Sequence, residues 1–192
     1  MPVLDDVGSA LLAAAGDLLA DEGPQALTVR RIAAQAGVST MNVYSRFGNK
    51  DGVVEQLFID GFHGLLAEMA DVPSTGDPLL DLAECGRAYR RFALASPTVY
   101  SVMFDRAVPD YEPSIAAAEI AGDTLGQLAL RLQRAMDAGL LAKRDPMHAA
   151  AMVWSACHGV ISLERRHAGP DSIDWEAVFF DVCATVMRGL IS

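Results

Sequence analysis

Thr28-Val-Arg-Arg-Ile-Ala-Ala-Gln-Ala-Gly37-Val-Ser39-Thr-Met-Asn-Val-Tyr44-Ser-Arg46-Phe47-Gly-Asn-Lys50 is the stretch that decides the fold. Thr28 can cap a helix, its hydroxyl satisfying a backbone N–H left open in the first turn. Val29, Ile32, Ala33 and Ala36 then recur at helical spacing and give one apolar face. Gly37 ends that helix where a left-handed residue is cheap, Val38 plugs the corner, and Ser39 is placed to cap a second helix. In the second helix Val43 and Phe47 point inward four residues apart, leaving Thr40, Asn42, Ser45 and Arg46 on or near the outer face. A short helix, a tight turn and a polar second helix form a helix-turn-helix, whose second helix enters the DNA major groove.

The residue types around this turn suit double-stranded DNA. Lys50 opens the next helix, where its ammonium and the free N–H groups can meet a backbone phosphate, and Tyr44, Thr28 and Thr40 stand beside it as phosphate candidates. Asn42 can pair with adenine, Arg46 can reach guanine or a phosphate, and Met41 can lie against a thymine methyl. Arg30, Ser39 and Ser45 complete the candidate set. The ordinary alternative for each is a solvated lysine, a packed tyrosine or a polar surface of a helical hairpin.

Outward from this motif the chain keeps helical periodicity, with no strand-like alternation of any length. Helices are expected near 5–21, 28–36, 40–46, 50–70, 79–95, 97–105, 113–139, 146–166 and 174–190. Pro73–Pro78, Ser96-Pro97, Val108-Pro109, Asp145-Pro146 and Gly169-Pro170 separate the later ones. At 192 residues and 52% hydrophobic content, the chain can bury its cores and still have apolar area for a partner. On 146–166, Ala149, Ala150, Val153, Trp154, Cys157, Val160 and Ile161 make a wide apolar face. Val178, Phe179, Val182, Val186 and Leu190 make another near the C-terminus. The breadth of both predicts a homodimer through four packed helices.

Net charge is −10, which taken globally opposes DNA binding. Residues 1–62 carry Arg30, Arg31, Arg46 and Lys50 against eight carboxylates, but all four cations fall inside the motif. With a Debye length of roughly 8 Å at physiological salt, the local cluster is expected to govern contact, with modest and salt-sensitive affinity. Cys85, Cys157 and Cys183 lie far apart in sequence without metal spacing and read as reduced thiols. His148, His158 and His167 are too widely separated for a zinc site. No nucleophile elbow or phosphate-cradling glycine loop is present, so neither catalytic residues, metal nor cofactor is expected. The acidic opening Met-Pro-Val-Leu-Asp-Asp is unlike a secretory leader, and the most apolar stretch, 147–163, falls short of a membrane span, so a soluble, cytoplasmic protein is expected.

Ile32-Ala33, Ala36-Gly37-Val38-Ser39, Tyr44, Phe47 and Lys50, with the packing helix Ala10, Leu11, Ala14, Leu18, Leu19 and its terminal Gly23, resemble the tetracycline-repressor (TetR) family of bacterial regulators over residues 7–62. Tyr89–Ala93, Ser96-Pro97, Tyr100–Phe104 and the later Trp154, His158 and Gly159 resemble that family's Trp-His-Gly (WHG) type of effector domain. The resemblance implies an all-α fold of about nine helices: a three-helix DNA-binding domain over 1–50 and a ligand-binding and dimerisation domain over 51–192. It implies a homodimeric repressor on double-stranded operator DNA, released by a small-molecule effector. Tyr89, Phe92, Tyr100, Met103, Phe104, Met136, Trp154 and His158 form aromatic and Met clusters at helical spacing, which are either core or the lining of an adaptable apolar cavity. A relative that binds a small molecule or a protein as a dimer, and has lost DNA binding, is the alternative that the acidic charge keeps open.

Overall fold

Helix propagation and capping account for the secondary structure. The computed structural model describes residues 4–191, so three of the six residues weighed as a leader, Met1–Val3, lie outside them. Among the described residues there are nine α-helices and no strand: α1 Asp6–Glu22, α2 Val29–Gln35, α3 Thr40–Phe47, α4 Lys50–Ala70, α5 Pro78–Ala95, α6 Pro97–Phe104, α7 Ile115–Asp137, α8 Pro146–Arg165 and α9 Trp175–Leu190. Each agrees with its expected span to within about two residues, the usual uncertainty of a helix end. A single 3-10 turn over Pro24–Ala26 is added between α1 and α2.

The ends are set by side chains close in sequence. Asp5 caps α1 by accepting from the Gly8 N–H at 2.8 Å, and Asp174 caps α9 from Ala177 at 3.0 Å. Asp145 accepts from both Met147 and His148, with Pro146 in the first helical position where no N–H is needed.

The chain forms two compact units. One takes in the chain as far as His63 together with Ser96–Ile120. Its core is Leu11, Ala15, Ile32, Val43, Val53 and Tyr100, all 0% exposed. In it α1 packs on α2, α3 and α6. Gly61 lets α4 approach α6 closely, since a Cβ there would sit 2.7 Å from the Met103 sulfur. Tyr111 donates its hydroxyl to Glu55, which fixes the loop before α7 onto α4. Burial and that bond together push the Tyr111 phenol well above its ordinary value.

The other unit takes in Gly64–Ala95 and the chain from Ala121 onward. Leu82, Leu132, Met136, Ala149, Ala150 and Leu190 form its core, and α8 packs along α9 and against α5. Asp81, 2% exposed, accepts from the Thr75 amide and hydroxyl and from Arg134 at 2.9 Å. Those bonds hold its carboxyl below the ordinary 3.8, the Thr75 hydroxyl contributing most.

Of the apolar faces assigned to a dimer, seven residues are buried within this unit, and Val153, Trp154, Val178, Val182 and Val186 stay half-buried. Ala149, Ala150, Ile161, Phe179 and Leu190 are 0% exposed, and Cys157 and Val160 are buried. The surface α8 leaves open is Met147, His148, Met152, Ser155, Gly159 and Leu163. Periodicity marks an apolar face but does not say whether the same chain already covers it.

Candidate nucleic-acid interface

The motif is built by short-range bonds. The Thr28 hydroxyl accepts from the Arg31 N–H at 3.3 Å and opens α2. Gly37 closes α2 at φ +68°, its N–H bonded to the Ala34 carbonyl, and the Val38 N–H returns to Ala33 at 2.9 Å. No atom crowds Gly37, so its positive φ alone makes glycine the favoured residue. Ser39 stands at the N-terminus of α3 with extended backbone, but its hydroxyl makes no cap bond. Instead it accepts from the Asn42 side-chain amide at 3.2 Å.

On α3 only Val43 is buried. At about 100° per residue, Met41 and Ser45 lie opposite it, with Tyr44 and Asn42 on the two flanks. Met41 is 70% exposed and Tyr44 53%, while Thr40 and Ser45 are exposed and Asn42, Arg46 and Phe47 half-buried. A large thioether and a phenol held in solvent beside polar side chains make a surface suited to a partner. Lys50 begins α4, half-buried, with Asp51 3.5 Å from its ammonium. Thr28 and Arg30 are exposed at the start of α2.

Folding changes the charge picture. Asp5 accepts from Arg46 in bidentate fashion, Nε at 2.9 Å and Nη2 at 2.5 Å. The remaining Arg46 nitrogen, Nη1, donates to the Asn42 side-chain carbonyl oxygen at 2.9 Å. Ser39, Asn42, Arg46 and Asp5 thus form one hydrogen-bonded chain across the candidate face. Arg46, with help from the Gly8 N–H, holds the Asp5 carboxyl down at about 2, so this pair is charged throughout the physiological range. Arg31 is likewise paired with Glu22, which lowers that carboxyl and raises the guanidinium. Three of the motif's four cations therefore face carboxylates, and among the described residues Arg30 makes no ion pair. Acids counted as outside the motif by sequence are brought to it by folding.

Three residues here were not singled out by the sequence. Asp5 lies 41 positions from Arg46, beyond any local pattern. Asn49 accepts from the Gly52 N–H at 2.9 Å and caps α4, a signal readable in Asn-Lys-Asp. At Gly52 a Cβ would stand 1.8 Å from the Phe47 carbonyl oxygen, so only glycine fits the α3–α4 junction as built.

The eight effector candidates divide between the units. Tyr100, Met103 and Phe104 belong to the first, where Tyr100 and Phe104 rings lie 4.7 Å apart and Phe62 meets Phe104 at 5.3 Å. Tyr89, Phe92, Met136, Trp154 and His158 belong to the second. There the Trp154 indole donates to the Tyr89 hydroxyl at 3.2 Å, the His158 ring lies 5.6 Å from Trp154, and Ser162 pairs with its Nε2. Met136 is in the core of that unit, 1% exposed, and Phe92 is half-buried against Gly64. An open groove of about 530 Å³ on α7 and the start of α8 is lined by Gly122, Gly126, Leu130 and Met147 among others, none of them a candidate. Among the described residues no His, Cys, Asp and Glu cluster suits a metal ion, and no helix is long and apolar enough to cross a membrane.

Comparison with known proteins gives concordant matches. A family model described as bacterial regulatory proteins, tetR family, matches residues 11–57, and one described as the tetracyclin repressor-like C-terminal domain matches 82–186, including Trp154, His158 and Gly159. The uncharacterized HTH-type transcriptional regulator YdeS of Bacillus subtilis (strain 168) is 35% identical over 83 residues, 43% of this chain. The match spans 40% of that relative's length. Among solved structures, a protein of unknown function from Rhodococcus sp. RHA1 has a TM-score of 0.82 at 21% identity, covering 100% of this chain and 98% of that one. The fatty acid degradation regulator FadR from Bacillus halodurans has 0.81 at 17%, covering 96% of each. The TetR family regulator PfmR from Thermus thermophilus has 0.74 at 20%, covering 95% and 99%. At these identities the structures speak for the fold.

Proposed function

Because this chain belongs to the tetracycline-repressor (TetR) family of bacterial regulatory proteins, we propose that it is a cytoplasmic, homodimeric transcription regulator that represses by binding operator DNA. Residues 1–50 are the DNA-binding part, and 51–192 carry effector binding and dimerisation. One observation carries the reading: α3 buries Val43 alone and holds Met41, Asn42, Tyr44, Ser45 and Arg46 on its other sides, directly after a cap-and-glycine turn. Asn42 and Arg46 read base edges, and Lys50, Tyr44, Thr28 and Thr40 meet phosphates. The open strip of α8, with Ser155 and Gly159 small enough for close helix approach, is the dimer contact. A two-fold dimer matches a palindromic operator read by two heads.

Release is by a small apolar or aromatic effector received beside Tyr89, Trp154 and His158. It can weaken operator binding by no more than its preference between the binding and non-binding states, typically about 1–3 kcal/mol. The test is selection of bound sequences from random duplex DNA by the purified protein. Enrichment of a palindromic site supports the proposal, and recovery of unenriched DNA at low salt overturns it.

The pairing of Arg31 and Arg46 with carboxylates favours one second reading, a dimer that binds a small molecule or protein and not DNA. Titration against duplex at low salt separates the two. Binding that strengthens as salt falls supports the regulator, and its absence supports the second reading.

A further inference from the structure

Two of the three cysteines, 26 residues apart in sequence, meet in the fold. Cys157 on α8 and Cys183 on α9 have their sulfur atoms 3.3 Å apart. We propose that Cys157 and Cys183 are a redox modification site, a dithiol that a hydroperoxide converts to an intramolecular disulfide joining α8 to α9. This does not rest on the DNA-binding reading.

The arrangement gives each thiol a part. Cys183 is half-buried, while Cys157 is buried. The contact from Cys157 lowers the Cys183 thiol, whereas that same contact, and then burial, push Cys157 up. The thiolate is the reactive form, and Cys183, the less buried of the two, meets the oxidant first. Its sulfur attacks one peroxide oxygen, forming an S–O bond as the O–O bond breaks, and the departing oxygen leaves as water or an alcohol after taking a proton. The Cys157 sulfur then attacks the Cys183 sulfenic acid. An S–S bond forms, the S–O bond breaks, and the hydroxyl leaves as water with the Cys157 proton. Two thiols are oxidised by two electrons and one hydroperoxide is reduced.

Closing the bond requires the sulfurs to approach from 3.3 Å to about 2.05 Å. Cys85 on α5 is buried, and burial raises its thiol, so it serves as the bystander.

The experiment treats the reduced, full-length protein with hydrogen peroxide and follows free thiols, intact mass and disulfide-linked peptides. Expected are a fall from three free thiols to one, a mass loss of two hydrogens, a Cys157–Cys183 peptide, and reversal by dithiothreitol. Cys85→Ser should still lose two thiols. Cys157→Ser should stop at a sulfenic acid on Cys183 that dimedone traps. Three surviving thiols at peroxide doses that oxidise a reference dithiol would overturn the proposal, as would a bond to Cys85 or between two copies. The wild-type measurement decides the matter even if a serine variant does not fold.

Discussion

Gly52→Ala tests how tightly the α3–α4 junction is built. The new methyl would sit 1.8 Å from the Phe47 carbonyl oxygen and 2.9 Å from its carbon, both main-chain atoms. Real Cβ contacts essentially never fall below 3.0 Å, so the end of α3 must move by about 1.2 Å relative to α4. Phe47 cannot yield alone, because Gly48 next to it is fixed at φ +76° with its N–H on the Tyr44 carbonyl. Forcing a methyl into such a contact typically costs about 1–3 kcal/mol. At about 2–4 °C per kcal/mol for a chain of this size, the midpoint should fall by about 2–12 °C. Gly16→Ala is the matched control: it lies inside α1 with nothing within 4 Å of the new Cβ. There the substitution removes glycine's helix penalty of about 0.5–1 kcal/mol and should raise the midpoint. The assay is thermal unfolding by circular dichroism, followed by operator titration at a temperature where all variants are folded. Gly52→Ala should also lose cognate affinity more than random-duplex affinity, because α3 is re-aimed. Identical melting of Gly52→Ala and wild type, or the same sign for both substitutions, would refute the reasoning.

Asn42→Ala should weaken cognate binding by about 1–3 kcal/mol while barely changing binding to random duplex, and equal losses on both would show that Asn42 reads no base. Lys50→Ala should weaken binding to every sequence and flatten the plot of log affinity against log salt by about one charge; an unchanged slope marks a merely solvated lysine. Asp5→Asn keeps a residue able to cap α1 but frees Arg46, so binding to any duplex should tighten and the salt slope steepen by about one charge in a fluorescence titration. Unaltered affinity would mean that Asp5 does not compete with DNA. Asp81 has a folded value below its ordinary 3.8, so its stabilisation is present above 3.8 and is lost as pH falls through the lower folded value. The midpoint difference between wild type and Asp81→Asn should therefore be widest near neutrality and close below that pH, and a pH-independent gap would contradict the assignment.

On the proposed DNA-directed face, most of the local positive charge is already compensated. Arg46 and Arg31 each sit in a bidentate pair with a carboxylate. A phosphate approaching this face meets guanidinium groups already neutralised, so association must displace the carboxylates as well as counterions. The Ser39–Asn42–Arg46–Asp5 chain also fixes the Asn42 amide at both ends. Pairing with a base requires those two bonds to be exchanged for bonds to the base edge, which lowers net affinity and leaves discrimination to the geometry of the match.

Local signals were enough for the helices. Thr28, Gly37, Asp145 and Pro146 act within one turn of their own positions, and the apolar period of each segment is a property of that segment, so all nine helices and the helix-turn-helix were legible without neighbours. What required the tertiary structure is every pairing across many residues: Asp5 with Arg46, Glu55 with Tyr111, Cys157 with Cys183, and the Gly52 position against the Phe47 carbonyl. The same holds for the apolar face of α8, which periodicity marks but which packing against α5 and α9 covers in part from within the chain. The physical reason is range: hydrogen bonds and rotamer limits of the backbone act over about four residues, whereas the partner of a charge, a thiol or an apolar stripe is chosen by how helices distant in sequence pack.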